Sequence, residues 1–229
     1  MGIYSYNISI FAKSLLLTRI VQQNDWVVFI IVGCILLYVF MLIYLHRDST
    51  VRVFLMQKFA DSSNNYLSWL IVSAVFAVLL AVFISQSIPV VPKEITDVQL
   101  FGYELNKFGF TMLSLVVFYS LKSGLSYLFF AGTGSLKRWR LFQFAASKFY
   151  FVFSLVLMFL CVYQYYFEVD GLLVFDFYFI GFVAIFLFKI FFYLLSPNDI
   201  LPEKWYYKLL YLCTLQLAPL MVIWTVLFI

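Results

Sequence analysis

One charged side chain stands in the middle of an apolar run long enough to cross a bilayer: Lys122, flanked by Tyr119, Ser120, Ser123 and Ser126. A charge at the bilayer centre costs about 2.5 to 3.5 kcal/mol on insertion scales, so such a lysine faces the protein interior. The alternative is that its four-carbon stem reaches the cytoplasmic headgroups, which requires the run to end early. Asp176 and Lys189 share a later apolar run, each only one or two turns from its end, and are expected at the interface. Substitution should therefore matter more at Lys122 than at Lys189. Towards the C-terminus Gln216 and Pro219 come together. Proline removes a backbone donor and frees the carbonyl of Leu215, so a kink is predicted at Pro219. Thr214 and Gln216 can hydrogen-bond to other helices or line a small polar cavity. A binding site assembled from Lys122, Gln216, Tyr211 and Asp176 is the candidate these residue types allow.

Other chemistries are poorly provided for. Cys34, Cys161 and Cys213 fall within apolar runs at no metal-ligand spacing, and His46 is the only histidine, so no metal site and no cofactor is expected. No serine carries the glycine framing of an intramembrane Ser–His protease. Gly132-Thr133-Gly134-Ser135 follows a membrane run and lacks the pattern of a phosphate-binding loop. Acid–base catalysis would need carboxylates or histidines gathered on one face, and none are evident. No nucleic-acid partner is expected.

The elements that must position these groups follow from composition. Of 229 residues, 65% are hydrophobic, 22% aromatic and 11% charged, and the mean hydropathy is +1.01. Globular chains are roughly half apolar and a quarter charged, so the fold class is an all-α polytopic membrane protein. A hydrocarbon core about 30 Å thick takes about 20 helical residues. Six such spans are predicted, near 26–45, 66–88, 108–131, 146–167, 172–195 and 206–229, forming one transmembrane domain. Residues 1–25 interleave apolar and polar side chains, as an amphipathic segment lying in the interface does. Lys and Arg near the span ends divide nine to four, with Lys13, Arg19, Lys93 and Lys107 as the minority. The positive-inside bias then places residues 1 and 229 outside, in the periplasm, and the last span is expected to end in or at the face of the bilayer. Trp26, Tyr66, Trp69, Trp139 and Trp205 sit near predicted interfaces, where aromatic rings anchor helices.

Asp25-Trp26, Tyr119-Ser120-Leu121-Lys122 and the stretch from Leu210 through Tyr211-Leu212-Cys213-Thr214-Leu215-Gln216 to Pro219 together resemble a family of integral membrane proteins of Bacteroidota without assigned activity. The likeness covers nearly the whole span region. Gln216 departs from it, since a glutamate is expected there. Glutamate would have offset the charge of Lys122, whereas Gln216 supplies only neutral hydrogen bonds. The resemblance implies an inner-membrane protein of about six spans. Short loops and the lack of a catalytic cluster then lead to the expectation of a non-catalytic subunit or scaffold of an envelope complex, with type IX secretion and gliding motility as lineage-specific examples. Its expected partners are the lipid bilayer and other membrane or envelope proteins. A small transporter or channel, or a lipid-handling enzyme with a polar site around Lys122, is the alternative.

Overall fold

A computed structural model describes residues 25–45, 50–57, 59, 64–85, 87, 106–167, 171–195 and 204–228, with side chains in the 171–195 helix described at Tyr178 and from Ile180 to Tyr193. The described residues form helices and no strands. In chain order these are α1 (Asp25–Phe40), running on as a π-helical turn over Met41–Leu45; α2 (Val51–Met56); α3 (Asn65–Ser85); α4 (Lys107–Gly132); α5 (Leu136–Tyr166); α6 (Gly171–Leu195); and α7 (Trp205–Leu210), which continues through a π-helical segment, Tyr211–Leu217, into α8 (Ala218–Phe228). Five stretches are long and apolar enough to cross a membrane: Trp26–Leu45, Asn65–Ser85, Lys107–Gly132, Leu136–Tyr166 and Trp205–Ile223. At 25 residues α6 is of comparable length, about 37 Å at 1.5 Å per residue. The expected amphipathic segment 1–25 and the connection 89–105 lie outside the described residues, apart from the first turn of α1 at Asp25.

The helix ends follow from local side chains. Asn106 caps α4, its Oδ1 accepting the Gly109 N–H at 2.9 Å, and Thr50 does the same for α2 through the Val53 N–H at 3.4 Å, each satisfying one of the orphan donors of a first turn. The Gly132-Thr133-Gly134-Ser135 stretch is a helix stop. Gly134 takes φ of +68°, Ser135 N–H reaches back to the Phe130 carbonyl at 2.8 Å and Gly134 N–H to that of Ala131 at 3.1 Å, the paired bonds of a Schellman ending.

The fourth span differs from expectation at its start. Its helix, α5, begins at Leu136 rather than Ala146 and runs for 31 residues. Lys137, Arg138 and Arg140 are too polar for the hydrocarbon core yet are good helix formers, so hydropathy marks where the membrane begins and not where the helix does. The extra turns also turn Trp139 inward: it is buried with Phe130, Phe142, Tyr193, Tyr211 and Leu215 rather than placed as an interfacial anchor, its ring stacked on Phe142 at 5.6 Å.

α3 is the central helix. It packs most extensively on α5, then on α4 and α1, and Val72, Val75, Leu79, Ala81 and Val82 along it are all but inaccessible. Lipid tails are as apolar as these side chains, so close packing and interhelical hydrogen bonds hold the bundle rather than water exclusion. The bonds are present. Tyr38 on α1 pairs with Ser154 on α5, and Tyr165 Oη donates to the Val82 carbonyl at 3.1 Å. Lys148 is structural as well: its ammonium donates to the Leu55 carbonyl at 2.9 Å and to that of Gln57. It thereby covers orphan carbonyls at the end of α2 and fastens that short helix to α5.

Candidate functional site

α3, α4, α5, α6 and α8 line a partly open cavity of about 260 Å³. Half of its lining residues are aromatic, among them Phe76 and Phe83 from α3, Tyr119 from α4, Phe149 and Phe153 from α5, and Phe182 from α6. Two lysines open into it, Lys122 and Lys189. Fixed helices set their positions. Lys122 lies ten residues before the end of α4, about 15 Å along the axis, and Lys189 six residues before the end of α6, about 9 Å.

Lys122 Nζ donates to Gln216 Oε1 at 2.9 Å, and Gln216 Nε2 donates to Tyr211 Oη at 3.0 Å. Gln216 and Tyr211 are only 1% and 0% exposed. Five residues separate them, a spacing that would leave them on different sides of an α-helix of 3.6 residues per turn. Here the backbone is wound more widely, with the Ala218 N–H bonded to the Cys213 carbonyl five residues back, so residues five apart stand one above the other. Pro219 supplies the reason. Its ring would crowd the Leu215 carbonyl in an α-helix, and the wide turn just before it accommodates that ring. The expected irregularity at Pro219 is therefore a π-helical segment that brings Tyr211 and Gln216 onto one face.

Lys189 requires a correction. It was expected at the interface, but it is 7% exposed. Its Nζ donates to Tyr150 Oη at 2.9 Å and lies 4.5 Å from the centre of the Tyr150 ring, with Phe149 and Tyr193 at 5.5 and 5.8 Å. Closeness to a helix end does not decide which way a side chain points, and Lys189 points towards α5. The expectation that only Lys122 is deep falls with it. Lys122, Lys189 and Tyr150 line the same cavity. Tyr150, which accepts from Lys189, is stacked on Phe76 at 4.7 Å.

Of the four residues proposed as a site, Lys122, Gln216 and Tyr211 come together. The α6 backbone puts position 176 thirteen residues from Lys189, about 20 Å along the helix, and its side chain lies outside those described. Among the described residues no group of three or more metal-ligating side chains occurs. Lys189 and Tyr150 were missed as members of the site. A signal existed for the lysine, since Lys122 and Lys189 are the two lysines placed inside spans; Tyr150 is one of 17 tyrosines and nothing in its neighbourhood marks it.

The arrangement is rich in donors. Each ammonium carries three N–H groups, of which one goes to Gln216 or to Tyr150, and the Tyr150 hydroxyl, having accepted from Lys189, still has its own proton to give. No family model, no curated protein and no solved structure matches the chain.

Proposed function

We propose that this multi-pass membrane protein holds or passes a small molecule inside the bilayer, in the cavity that Lys122 and Lys189 enter, as a small transporter or a lipid-handling protein. The observation that carries this reading is a pair of ammonium groups, Lys189 buried and Lys122 half-buried, each donating to a neutral side chain at one end of a cavity rich in aromatic rings. Lysines inside membranes mark substrate and ion paths because they are costly to keep there for packing alone. The test is native mass spectrometry of the protein released from lipid nanodiscs, wild type beside Lys122→Met and Lys189→Met. A bound small molecule present in the wild type and lost in both variants supports the reading. Identical spectra for all three, with lipid bound only at the rim, would overturn it.

A second reading is a non-catalytic subunit of a bacterial envelope complex in the inner membrane, with type IX secretion or gliding machinery as examples and residues 1 and 229 on the outer side. The resemblance to Bacteroidota membrane proteins supports it, as does the lipid-facing side of α4, where Ser120 and Gly124 are exposed and nothing lies within 4 Å of a methyl group placed on Gly124. Small residues four apart let another helix approach closely. Gentle isolation from native membranes, followed by protein identification, tests this. Stoichiometric envelope proteins would support the complex, and recovery of the chain by itself would count against it.

A further inference from the structure

Resting on the binding reading above, we infer that the ligand is a single-chain acidic amphiphile, its carboxylate or phosphate head held between Lys122, Lys189 and the Tyr150 hydroxyl and its chain lying along the aromatic slot. Charge and hydrogen-bond accounting select the head. Two ammonium groups that line one cavity repel unless an anion stands between them, and the side chains they donate to, Gln216 and Tyr150, are neutral. The donors left over, two N–H on each lysine and the Tyr150 O–H, need an acceptor with several lone pairs, which an oxyanion provides and a cation, an alcohol or a sugar does not match.

Shape selects the tail. Phe76 stacks on Tyr150 at the lysine end, while Phe83 meets Tyr178 at 4.8 Å and Phe182 at 5.5 Å further along α3. The wall extends from Phe76 to Ile84 on α3, with Ser87 just past that helix, and from Tyr178 to Lys189 on α6, eight and eleven residues or about 12 and 16 Å of helix rise. A volume of about 260 Å³ spread along that length is narrow and lies below the range of roughly 300 to 1,000 Å³ typical of drug-sized ligands. One unbranched chain fits such a slot and a two-tailed lipid does not. Apart from Ser87 and the tyrosine hydroxyls, everything past the lysines is hydrocarbon or aromatic ring, so a small hydrophilic anion would leave the slot unfilled.

The probes are dodecanoate and dodecyl phosphate as acidic amphiphiles, dodecanol as the neutral analogue, and acetate and inorganic phosphate as heads without tails. Each is titrated into the full chain in phosphatidylcholine nanodiscs, with empty discs subtracted and tryptophan fluorescence and thermal midpoint as readouts. Saturable binding of at least one acidic amphiphile is expected, weakened at least tenfold by Lys122→Met and by Lys189→Met, retained within about threefold by Lys189→Arg, and blocked by the slot-filling Leu80→Trp. Elution volume on size exclusion checks that each variant is folded, and the arginine variant keeps the charge argument testable if a methionine variant is not. Dodecanol binding as tightly as dodecanoate, sensitive to Leu80→Trp but not to the lysines, would overturn the acidic head while leaving the cavity a binding site. Binding of acetate or phosphate alone, unaffected by Leu80→Trp, would overturn the amphiphile and leave a free anion as ligand. No saturable binding of any probe would overturn the inference, and the native mass spectra then decide whether the cavity reading falls with it.

Discussion

Gln216→Glu places a carboxylate where the Lys122 ammonium now meets an amide, at 2.9 Å. Two unit charges at that separation attract by about 6 kcal/mol at an effective dielectric constant of about 20. Removing the new carboxylate from water costs several kcal/mol, so the two effects nearly cancel. The variant should therefore fold with a thermal midpoint within a few degrees of wild type. Gln216→Leu behaves differently, because it takes away the acceptor and returns nothing. A hydrogen bond to a charged group contributes about 1.5 to 3 kcal/mol, and the midpoint should fall by roughly 3 to 12 °C for a chain of this size. Ligand binding separates the two substitutions again: in Gln216→Glu the carboxylate occupies the field of Lys122, and dodecanoate affinity should drop at least tenfold despite the intact fold. The assay is thermal unfolding in nanodiscs followed by dodecanoate titration of both variants. If Gln216→Glu unfolds as readily as Gln216→Leu, Lys122 is not available to pair at position 216. If it binds dodecanoate like wild type, Lys122 does not hold the head.

Three further outcomes follow from the bundle. Pro219→Ala removes the ring that the wide turn accommodates, so Tyr211–Leu217 should wind closer to an α-helix, separating Tyr211 from Gln216; hydrogen exchange over residues 211–218 should slow and dodecanoate affinity fall, and unchanged exchange would show that the π-helical turn has another cause. Lys148→Met removes the ammonium's bonds to the carbonyls of Leu55 and Gln57, so exchange and proteolysis over residues 51–57 should rise while the thermal midpoint of the bundle moves little; equal protection would mean that other contacts, Phe54 packing among them, hold α2 without Lys148. Tyr165→Phe removes the bond to the Val82 carbonyl and should cost about 0.6 kcal/mol, at most about 1.7, by chemical unfolding.

Why some of this was legible in the residues and some was not depends on what each signal measures. Runs of apolar residues report the need to satisfy every backbone group inside lipid, so α1 and α4 lie within a residue or two of where hydropathy puts them. The same signal is blind where a helix outlasts the membrane. Lys137, Arg138 and Arg140 therefore hid the first turns of α5, and with them the inward turn of Trp139. Pro219 announced an irregular backbone, but nothing in its neighbourhood showed that the accommodation is a widened turn, and only that turn explains why Tyr211 and Gln216 meet across five residues.

Lys122 and Lys189 carry the same lesson into the site. Depth along a helix can be counted from a sequence, and it singled out Lys122 correctly as a central position on α4 while leaving Lys189 near an end. Direction around the helix cannot be counted the same way when every face is apolar, because an all-round hydrophobic helix has no amphipathic stripe to show which side meets protein. α6 is such a helix from Ile180 to Tyr193. Its one charged side chain in that stretch, Lys189, is the informative residue, since burying it against Tyr150 rather than lifting it to the nearby interface forgoes hydration that was within reach. A lysine with no such alternative is buried by necessity, but one six residues from a helix end is buried because its partners face inward. Lys189→Met is accordingly the sharper substitution of the two: it should leave the thermal midpoint equal to or above that of wild type, since a buried charge is replaced by a side chain of similar length, and should still weaken dodecanoate binding at least tenfold. A midpoint lowered by more than a few degrees would show that the ammonium serves the packing of α6 on α5 and not the ligand.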